Sequence, residues 1–315
     1  MAQVNHDMPF FTQLLQQVFT RPVKIVHAAP VGGGDIHHCY QIVLADNSHF
    51  FIKCNHARYA NLLEQEHYAL AALQQACAIK VPEVLGTGEC EGYCYLVLEW
   101  LELSTSGDET ALGRQLAQMH QHSSDRFGWA ADNFIGHNVQ HNTWCESWAT
   151  FWREQRLLPQ LAMALQSSHG HVLSKYVDDF IAASDALLDH HNPAPALLHG
   201  DLWGGNKAYL ASGEPVIFDP ASYYGDPETD IAFTRLFGGF GADFYNSYNH
   251  ARSLLAGAST KDAIAASQAL SLPEQVVQRQ VLYNIYHQLN HFNLFGEGYL
   301  SDCEHAILSV IKFTR

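Results

Sequence analysis

A change of hydrophobic period about a third of the way along the chain is the feature that most constrains its fold. Between Val23 and Trp100 the apolar residues fall in short, alternating runs of the kind that form strands. VKIVHAAPV, CYQIVLA and HFFIKC predict a short antiparallel meander. Asp46, Asn47 and Ser48 supply the turn between the second and third runs, because Asp and Asn tolerate left-handed backbone. YANLLEQEHYALAALQQA predicts one helix, with Leu62, Leu63, Tyr68, Leu70 and Leu73 along one side, and Pro82 ends that segment. Apolar Val84 and Leu85 come next, and YCYLVLEWL, Tyr93 to Leu101, reads as a buried strand.

After Leu103 the polar stretch STSGDETA, rich in capping residues, opens a region of helical period. Helices are predicted at about 109–122, 143–165, 171–190, 229–236, 243–255, 274–295 and 297–311. Only LLH, AYL and PVIF, between Ala196 and Phe218, look like strands. The expectation is an α+β chain of two parts, a small antiparallel sheet in residues 1–101 and a mainly helical part in residues 102–315.

Composition narrows the function. The 315 residues include 17 Lys plus Arg against 32 Asp plus Glu, and a net charge of −15 repels nucleic-acid phosphates and anionic lipid surfaces. Neither nucleic acid nor membrane is an expected partner. The first residues, MAQVNHDMPFFTQLLQQVF, have no basic stretch ahead of an apolar run, and no segment reaches the roughly 18 apolar residues of a spanning helix. A cytoplasmic location is expected, with the seven cysteines as reduced thiols, since none falls in a CxxC pair. The 20 histidines are scattered, without HExxH or zinc-ligand spacing, and read as solvated or hydrogen-bonded side chains.

The chemistry concentrates in LLHGDLWGGN, Leu197 to Asn206, and in VIFDPA thirteen residues beyond that Asn. Phosphoryl transfer needs an Asp facing the acceptor hydroxyl, and an Asn and a second Asp to hold Mg²⁺ against nucleotide phosphates. Asp201, Asn206 and Asp219 supply all three, and the five-residue interval from Asp201 to Asn206 matches the HRDLxxxN loop of protein kinases. His199 then takes the place of the first residue of that loop, and Asp219-Pro220-Ala221 replaces DFG without its switching Phe. Asp and Gly are also ordinary turn residues, so a lone HGD does not decide the matter. Upstream, Lys53 ends a strand and Glu66 lies on the next helix, in the order of the Lys-Glu pair that holds ATP phosphates. Gly32, Gly33 and Gly34 sit between the first two strands, where backbone N–H groups can approach phosphates, although the segment is neither GxGxxG nor GxxxxGKS. Glu99 and Leu101, at the end of the last strand, occupy the place of a hinge offering backbone groups to adenine.

With these residues assembled, the chain resembles the fructosamine-3-kinase (ketosamine-3-kinase) family, a branch of the protein-kinase-like and aminoglycoside-phosphotransferase group. HGDLWGGN, FDPASYYGDPETDIA, LFGGF, FGWAADNFIG and the C-terminal YNIYHQLNHFNLFGEGYL carry the resemblance over nearly the whole chain. It implies a bilobal protein-kinase-like fold and ATP- and Mg²⁺-dependent phosphorylation of the O3 hydroxyl of a ketosamine, whose phosphorylated adduct then releases the amine. By matched position, Asp201 is the catalytic Asp, Asn206 and Asp219 bind Mg²⁺, Lys53 contacts phosphates with Glu66 in support, and Asp230 braces the catalytic loop. Some members carry a redox-sensitive Cys after the glycines; Asp35 stands there in this chain. Trp203, Trp129, Tyr224, His287 and Asn290 are candidates to line the acceptor pocket. A kinase of an aminoglycoside or other small alcohol remains a rival reading, as does a pseudokinase that binds without turnover. The preferred sugar, the amine and the oligomeric state are left open.

Overall fold

The structure, a computed structural model, describes residues 7–32, 36–267 and 272–315. It begins with helix α1 (Met8–Phe19), capped by Asp7, whose carboxylate accepts the Phe10 N–H at 3.1 Å. The helix follows from an apolar stripe that buries Phe10, Phe11, Leu14 and Leu15. Strands β1 (Ile25–Val31), β2 (His38–Leu44), β3 (His49–His56), β4 (Val84–Cys90) and β5 (Tyr93–Glu99) form one antiparallel sheet in the order β1-β2-β3-β5-β4, and helix α2 (Ala60–Ala76) connects β3 to β4. The turn between β2 and β3 is at the expected place, with Asn47 at φ 68. α1 lies against one side of the sheet, in a core with Tyr40, Ile42, Ile52 and Val97.

The expected helix over YANLLEQEHYALAALQQA forms, but Tyr68 is on its outer face, donating a hydrogen bond to Glu64 at 3.0 Å, while Ala69, Leu70, Leu63 and Leu73 are buried. Tyr68 follows Glu64 by four residues, so it belongs to the solvated stripe of the helix.

The rest is mainly helical. Helix α3 (Glu109–Met119) leads to a small hairpin, β6 (Asn133–Ile135) and β7 (Asn138–Gln140). α4 (Trp148–Phe151) and α5 (Leu158–Gln166) are continuous through a π-helical segment, Trp152–Leu157. The helix expected from residue 143 therefore starts at 148, because 143–147 contribute a bridge between Cys145 and Phe127. The segment 171–190 is two helices, α6 (Gly170–Ser174) and α7 (Val177–Leu188). Short strands β8 (Ala196–Leu197), β9 (Lys207–Tyr209), β10 (Pro215–Ile217) and β11 (Tyr224–Gly225) follow, then α8 (Pro227–Leu236), α9 (Ala242–Leu255), α10 (Thr260–Ser267), α11 (Glu274–Phe295) and α12 (Leu300–Phe313).

One core cluster, built on Trp148, Phe151, Trp152, Tyr283 and Ile307, holds the helical part together. A second joins α2 and β5 to Leu112 and Leu116 of α3, to Leu197 and Leu202, and to Phe244 of α9. Its members come from both the sheet region and the helical region, so burying this apolar surface also fixes how the two face each other across a cleft. The architecture is α+β and protein-kinase-like: an antiparallel-sheet lobe set on a mainly helical one.

Candidate active site

A cleft of about 1030 Å³ lies between the sheet and the helices. Local chain geometry delivers its polar groups. β9 and β10 form a hairpin in which Lys207 faces Ile217, and just beyond that pair Phe218 N–H donates to Asn206 O at 3.1 Å. The thirteen-residue spacing is therefore one hairpin, and it places Asn206 beside Asp219. Asp219 takes left-handed backbone at φ 57, uncommon outside glycine and tolerated by Asp. Its carboxylate reaches Lys53 Nζ at 2.7 Å, and Lys53 also donates to Glu66 Oε1 at 2.6 Å.

The electrostatics of this triad differ from one member to the next. Lys53 and Glu66 have side chains only 5% and 10% exposed, whereas that of Asp219 is 42% exposed and opens into the cleft. Burial alone would pull the Lys53 ammonium down, but the carboxylates of Asp219 and Glu66 outweigh it and keep the ammonium charged above the ordinary lysine range. Burial pushes Glu66 up, against the opposing pull of Lys53. Asp219 thus shares a lysine that Glu66 already neutralises in part, which leaves carboxylate charge for a cation.

The catalytic-loop candidates rest on a buried polar floor. Asp230, on α8, accepts the His199 N–H at 2.8 Å and the Gly200 N–H at 2.9 Å. His120 Nε2 lies 3.2 Å from the same carboxylate, and His120 Nδ1 lies 2.8 Å from Tyr248 OH. Burial lowers His120, so the neutral ring donates Nε2–H to Asp230 and accepts from Tyr248. For Asp230, burial alone would raise the carboxyl, but the His120 hydrogen bond leads the contacts that hold it below the usual range. Burial also lowers His199; its Nε2–H donates to Phe218 O at 3.0 Å and its Nδ1 accepts the Asp201 N–H at 3.2 Å. Gly200 is at φ +81, and a Cβ there would lie 2.1 Å from Ala221 O, so only glycine fits between the loop and the strand-end segment.

On this floor Asp201 is partly exposed to the cleft. Asn206 Nδ2 donates to Asp201 O at 2.8 Å and to Asp201 Oδ2 at 3.0 Å. Those bonds commit the amide nitrogen, and the amide oxygen of Asn206 is the atom of this side chain that could hold a metal ion. Burial, and then the nearby charge of Asp219, push the Asp201 carboxyl well above its ordinary range, which makes it a stronger proton acceptor than a surface Asp.

Several sequence-predicted residues meet at this cleft: Lys53, Glu66, Asp201, Asn206 and Asp219 line it together with Gly32, Glu99, Leu101, Trp203 and Asn290. Gly33 and Gly34, with Asp35, lie outside the described residues. The Glu99 side chain pairs with Lys80 at 2.7 Å, so only its backbone is available to a nucleotide. Three acceptor candidates are not in the cleft lining. Trp129 and Tyr224 pack on each other, with ring centroids 5.5 Å apart, and Tyr224 is engaged in β11 beside Leu197. His287 is buried behind Phe233, whose ring stacks on it at 3.5 Å and itself lines the cleft. Trp129 and Tyr224 are partly buried, packed against the core clusters, and His287 is buried, so none of the three is part of the cleft lining.

Other residues were not anticipated. Asn55 Nδ2 donates to Ile36 O at 3.0 Å and contacts His37 Nδ1 at 3.1 Å, which pins the end of the glycine segment to β3. Its sign in the sequence was its position two residues after Lys53, a second polar side chain on the same buried face of a strand. His37 and Cys39 also line the cleft; burial and then Lys53 hold His37 down at about 3, and burial pushes Cys39 up to about 11. From the β6–β7 hairpin, Asn133 Nδ2 donates to Ser222 O at 2.8 Å and Gln140 Nε2 to Ala221 O at 3.0 Å, fixing the segment after Asp219. Asn133 lies in the FGWAADNFIG segment, which gave no sign of this role, and Gln140 lies in no such segment.

Comparison with known proteins agrees with this geometry. The family model described as fructosamine kinase matches residues 8–313. The chain is 39% identical to a probable ketoamine kinase of Synechocystis, over 98% of this chain and 99% of that one. It is 36% identical to the chloroplastic protein-ribulosamine 3-kinase of Arabidopsis thaliana, over 94% and 86% respectively. Among solved structures, a Haemophilus somnus protein assigned as a fructosamine-3-kinase superposes with a TM-score of 0.80 at 27% identity, covering 96% of this chain and 97% of that one. A catalytic-loop Asp on a braced floor, a metal-type Asn and Asp on one hairpin, a Lys-Glu pair above them and a family match over nearly the full length converge: this chain belongs to the fructosamine kinase family.

Proposed function

We propose that this protein transfers the γ-phosphoryl group of ATP to the O3 hydroxyl of a ketosamine, with Asp201 as the group that accepts the hydroxyl proton. The observation carrying the reading is the posture of Asp201. One carboxylate oxygen is held by Asn206 and the other is left for substrate, in a carboxyl whose proton affinity is raised by burial. The substrate O3 forms a bond to Pγ, the bond from Pγ to the ADP oxygen breaks, and the proton passes to Asp201. Lys53, fixed by Glu66, is the ammonium that orients the nucleotide phosphates, and backbone groups of Glu99 and Leu101 are placed to meet adenine. Residues 1–101 then carry most of the nucleotide contacts and residues 102–315 the catalytic loop and acceptor side.

A carboxylate and an amide oxygen suit a hard cation, and Asp219 and Asn206 are the residues that would hold Mg²⁺. Such a cation supplies charge neutralisation on the phosphates. No described helix is long and apolar enough to cross a membrane. Seven unpaired thiols suit a reducing compartment such as the cytoplasm.

The cleft also weighs against a polycationic acceptor such as an aminoglycoside. Of its lining carboxylates among the described residues, Glu66 and Asp219 are tied to Lys53 and Glu99 to Lys80, so Asp201 and Glu102 are the ones not already paired with a cation. The wall beyond Asp201 is aromatic, which suits a sugar ring. A pseudokinase reading is disfavoured because Lys53, Asp201, Asn206 and Asp219 are all present and assembled.

The test is transfer of labelled phosphate from ATP to ribulosamines, erythrulosamines, fructosamines and aminoglycosides, with wild type and Asp201→Asn. Ketosamines should be labelled, and the variant should lose about 10²–10⁴-fold in kcat while still binding ATP. Labelling confined to aminoglycosides would overturn the substrate; near-normal turnover by Asp201→Asn would remove that residue from its role.

A further inference from the structure

One wall of the cleft carries large rings left unusually open to solvent. Trp203, Phe237 and Phe295 are 40%, 47% and 54% exposed, and all three line the cleft. They form a continuous series. Trp203 meets Phe237 edge-on at 6.2 Å, Phe237 meets His291 at 5.1 Å, and His291 meets Phe295 at 5.7 Å and Tyr299 at 5.2 Å. The series starts two residues from Asp201 and runs outward onto the end of α11. A contiguous exposed apolar surface on an otherwise acidic protein is a contact surface waiting for a ligand.

The backbone is built to hold this series in place. A Cβ on Gly204 would lie 2.9 Å from Gly238 O, and a Cβ on Gly239 would lie 2.9 Å from Gly204 Cα. Gly238 and Gly239 both have positive φ, +73 and +94. The glycines after Trp203 and after Phe237 are therefore two halves of one close backbone contact, which only residues without side chains permit. That contact seats the Phe237 loop against the catalytic loop and sets Phe237 beside Trp203. Ring placement is thereby coupled to the position of Asp201.

We propose that this aromatic track binds the substituent on the ketosamine nitrogen and selects ketosamines whose amine carries an apolar group, aryl above all. The inference rests on the ketosamine reading above and adds the class of amine. When a sugar hydroxyl is held at Asp201, the nitrogen and its substituent must leave the phosphate side of the cleft, and the track is continuous with that exit. The nitrogen is a secondary amine, cationic near neutrality, and rings attract a cation over their faces. An aryl substituent covers exposed ring surface; a short polar one covers almost none. His291 Nδ1 donates to His287 O at 2.7 Å, which holds the ring in its place between Phe237 and Phe295.

The experiment compares two ketosamines that share ribulose and differ in the amine, one from benzylamine and one from ethanolamine. Steady-state kcat/KM is measured with wild type, Phe237→Ala, Phe295→Ala and, as a control outside the cleft lining, Leu254→Ala. Wild type should favour the benzyl adduct by about tenfold or more. Each Phe variant should bring that ratio down to about threefold or less, and Leu254→Ala should leave it intact. Equal kcat/KM for both adducts in wild type, or a ratio unchanged in both Phe variants, overturns the inference while leaving ketosamine phosphorylation standing. The same pair is made with erythrulose and fructose, and absence of transfer to every adduct overturns the ketosamine reading, and the inference with it.

Discussion

Replacing Asp230 by Asn tests the idea that the catalytic loop is held from below by one buried carboxylate. Asp230 is 2% exposed and accepts two successive backbone N–H groups, from His199 at 2.8 Å and Gly200 at 2.9 Å, while His120 Nε2 approaches at 3.2 Å. Asn keeps the shape but turns one oxygen into an NH₂ group, so one of these donors must face another donor. A buried N–H left unsatisfied costs about 1–3 kcal/mol, and the remaining bonds lose their charge assistance. The sum is about 2–4 kcal/mol, large against a total stability of about 5–15 kcal/mol yet compatible with folding. The freed loop carries Asp201, and a displacement of about 1 Å at a reacting group costs about 10²-fold in rate.

Urea unfolding should therefore show a lower midpoint for Asp230→Asn. Kinetics on the labelled ketosamine should show kcat reduced by about 10–100-fold, with the KM for ATP within about threefold because Lys53, Glu66 and Asp219 are untouched. The pH dependence adds a second readout. The folded-state carboxyl of Asp230 is held below its ordinary range, so its stabilisation is present above the unfolded value of about 3.9 and is lost as pH falls through the lower folded value. That acid-side loss should be missing in the variant. Unchanged kcat together with a stability change under about 0.5 kcal/mol would refute the argument that Asp230 braces the loop.

Two further substitutions probe the loop itself and the buried layer behind Phe233. Gly200→Ala forces a Cβ to within 2.1 Å of Ala221 O at φ +81, and should cost about 2–4 kcal/mol in unfolding and at least about 100-fold in kcat; a well-folded, active variant would show that the loop can shift freely. His287 is held by burial at about 3 in the fold, far below its unfolded value of about 6.5. The unfolded state therefore binds its proton first, and stability should fall as pH drops from about 6.5 towards 3, by about 1.4 kcal/mol per pH unit for this one group. His287→Leu should flatten the stability-versus-pH curve by one proton in that window; an unchanged slope would mean the ring is reached by water or finds a partner for its charge.

The reach of the sequence was local. Lys53, Glu66, Asp201, Asn206 and Asp219 line one cleft; the last three could be picked out from the short segments LLHGDLWGGN and VIFDPA, and Lys53 and Glu66 only from their order along the chain. The strand period before residue 101 and the helical period after residue 109 were legible because side-chain direction repeats every two or about 3.6 residues whatever the chain packs against. Helix α1 escaped because its segment was read for targeting, and β6, β7 and β11, of three, three and two residues, are too short to alternate visibly. Trp129, Tyr224 and His287 show the limit at the site. They sit in segments that resemble the family's as strongly as those of Trp203 and Asn290 do, yet Trp129 and Tyr224 pack on each other, His287 lies behind Phe233, and none of them is on the cleft wall.

Tertiary structure decided which face of each element became that wall. Burying one shared core between the sheet and the helices sets their separation, and the backbone contact of Gly204 with Gly238 and Gly239 sets where two loops meet. The residues proposed to bind phosphate and to accept a proton were therefore written in the sequence. The shape that chooses the acceptor arises only when segments distant along the chain are packed against one another, because no local period or motif records which distant residue will be its neighbour.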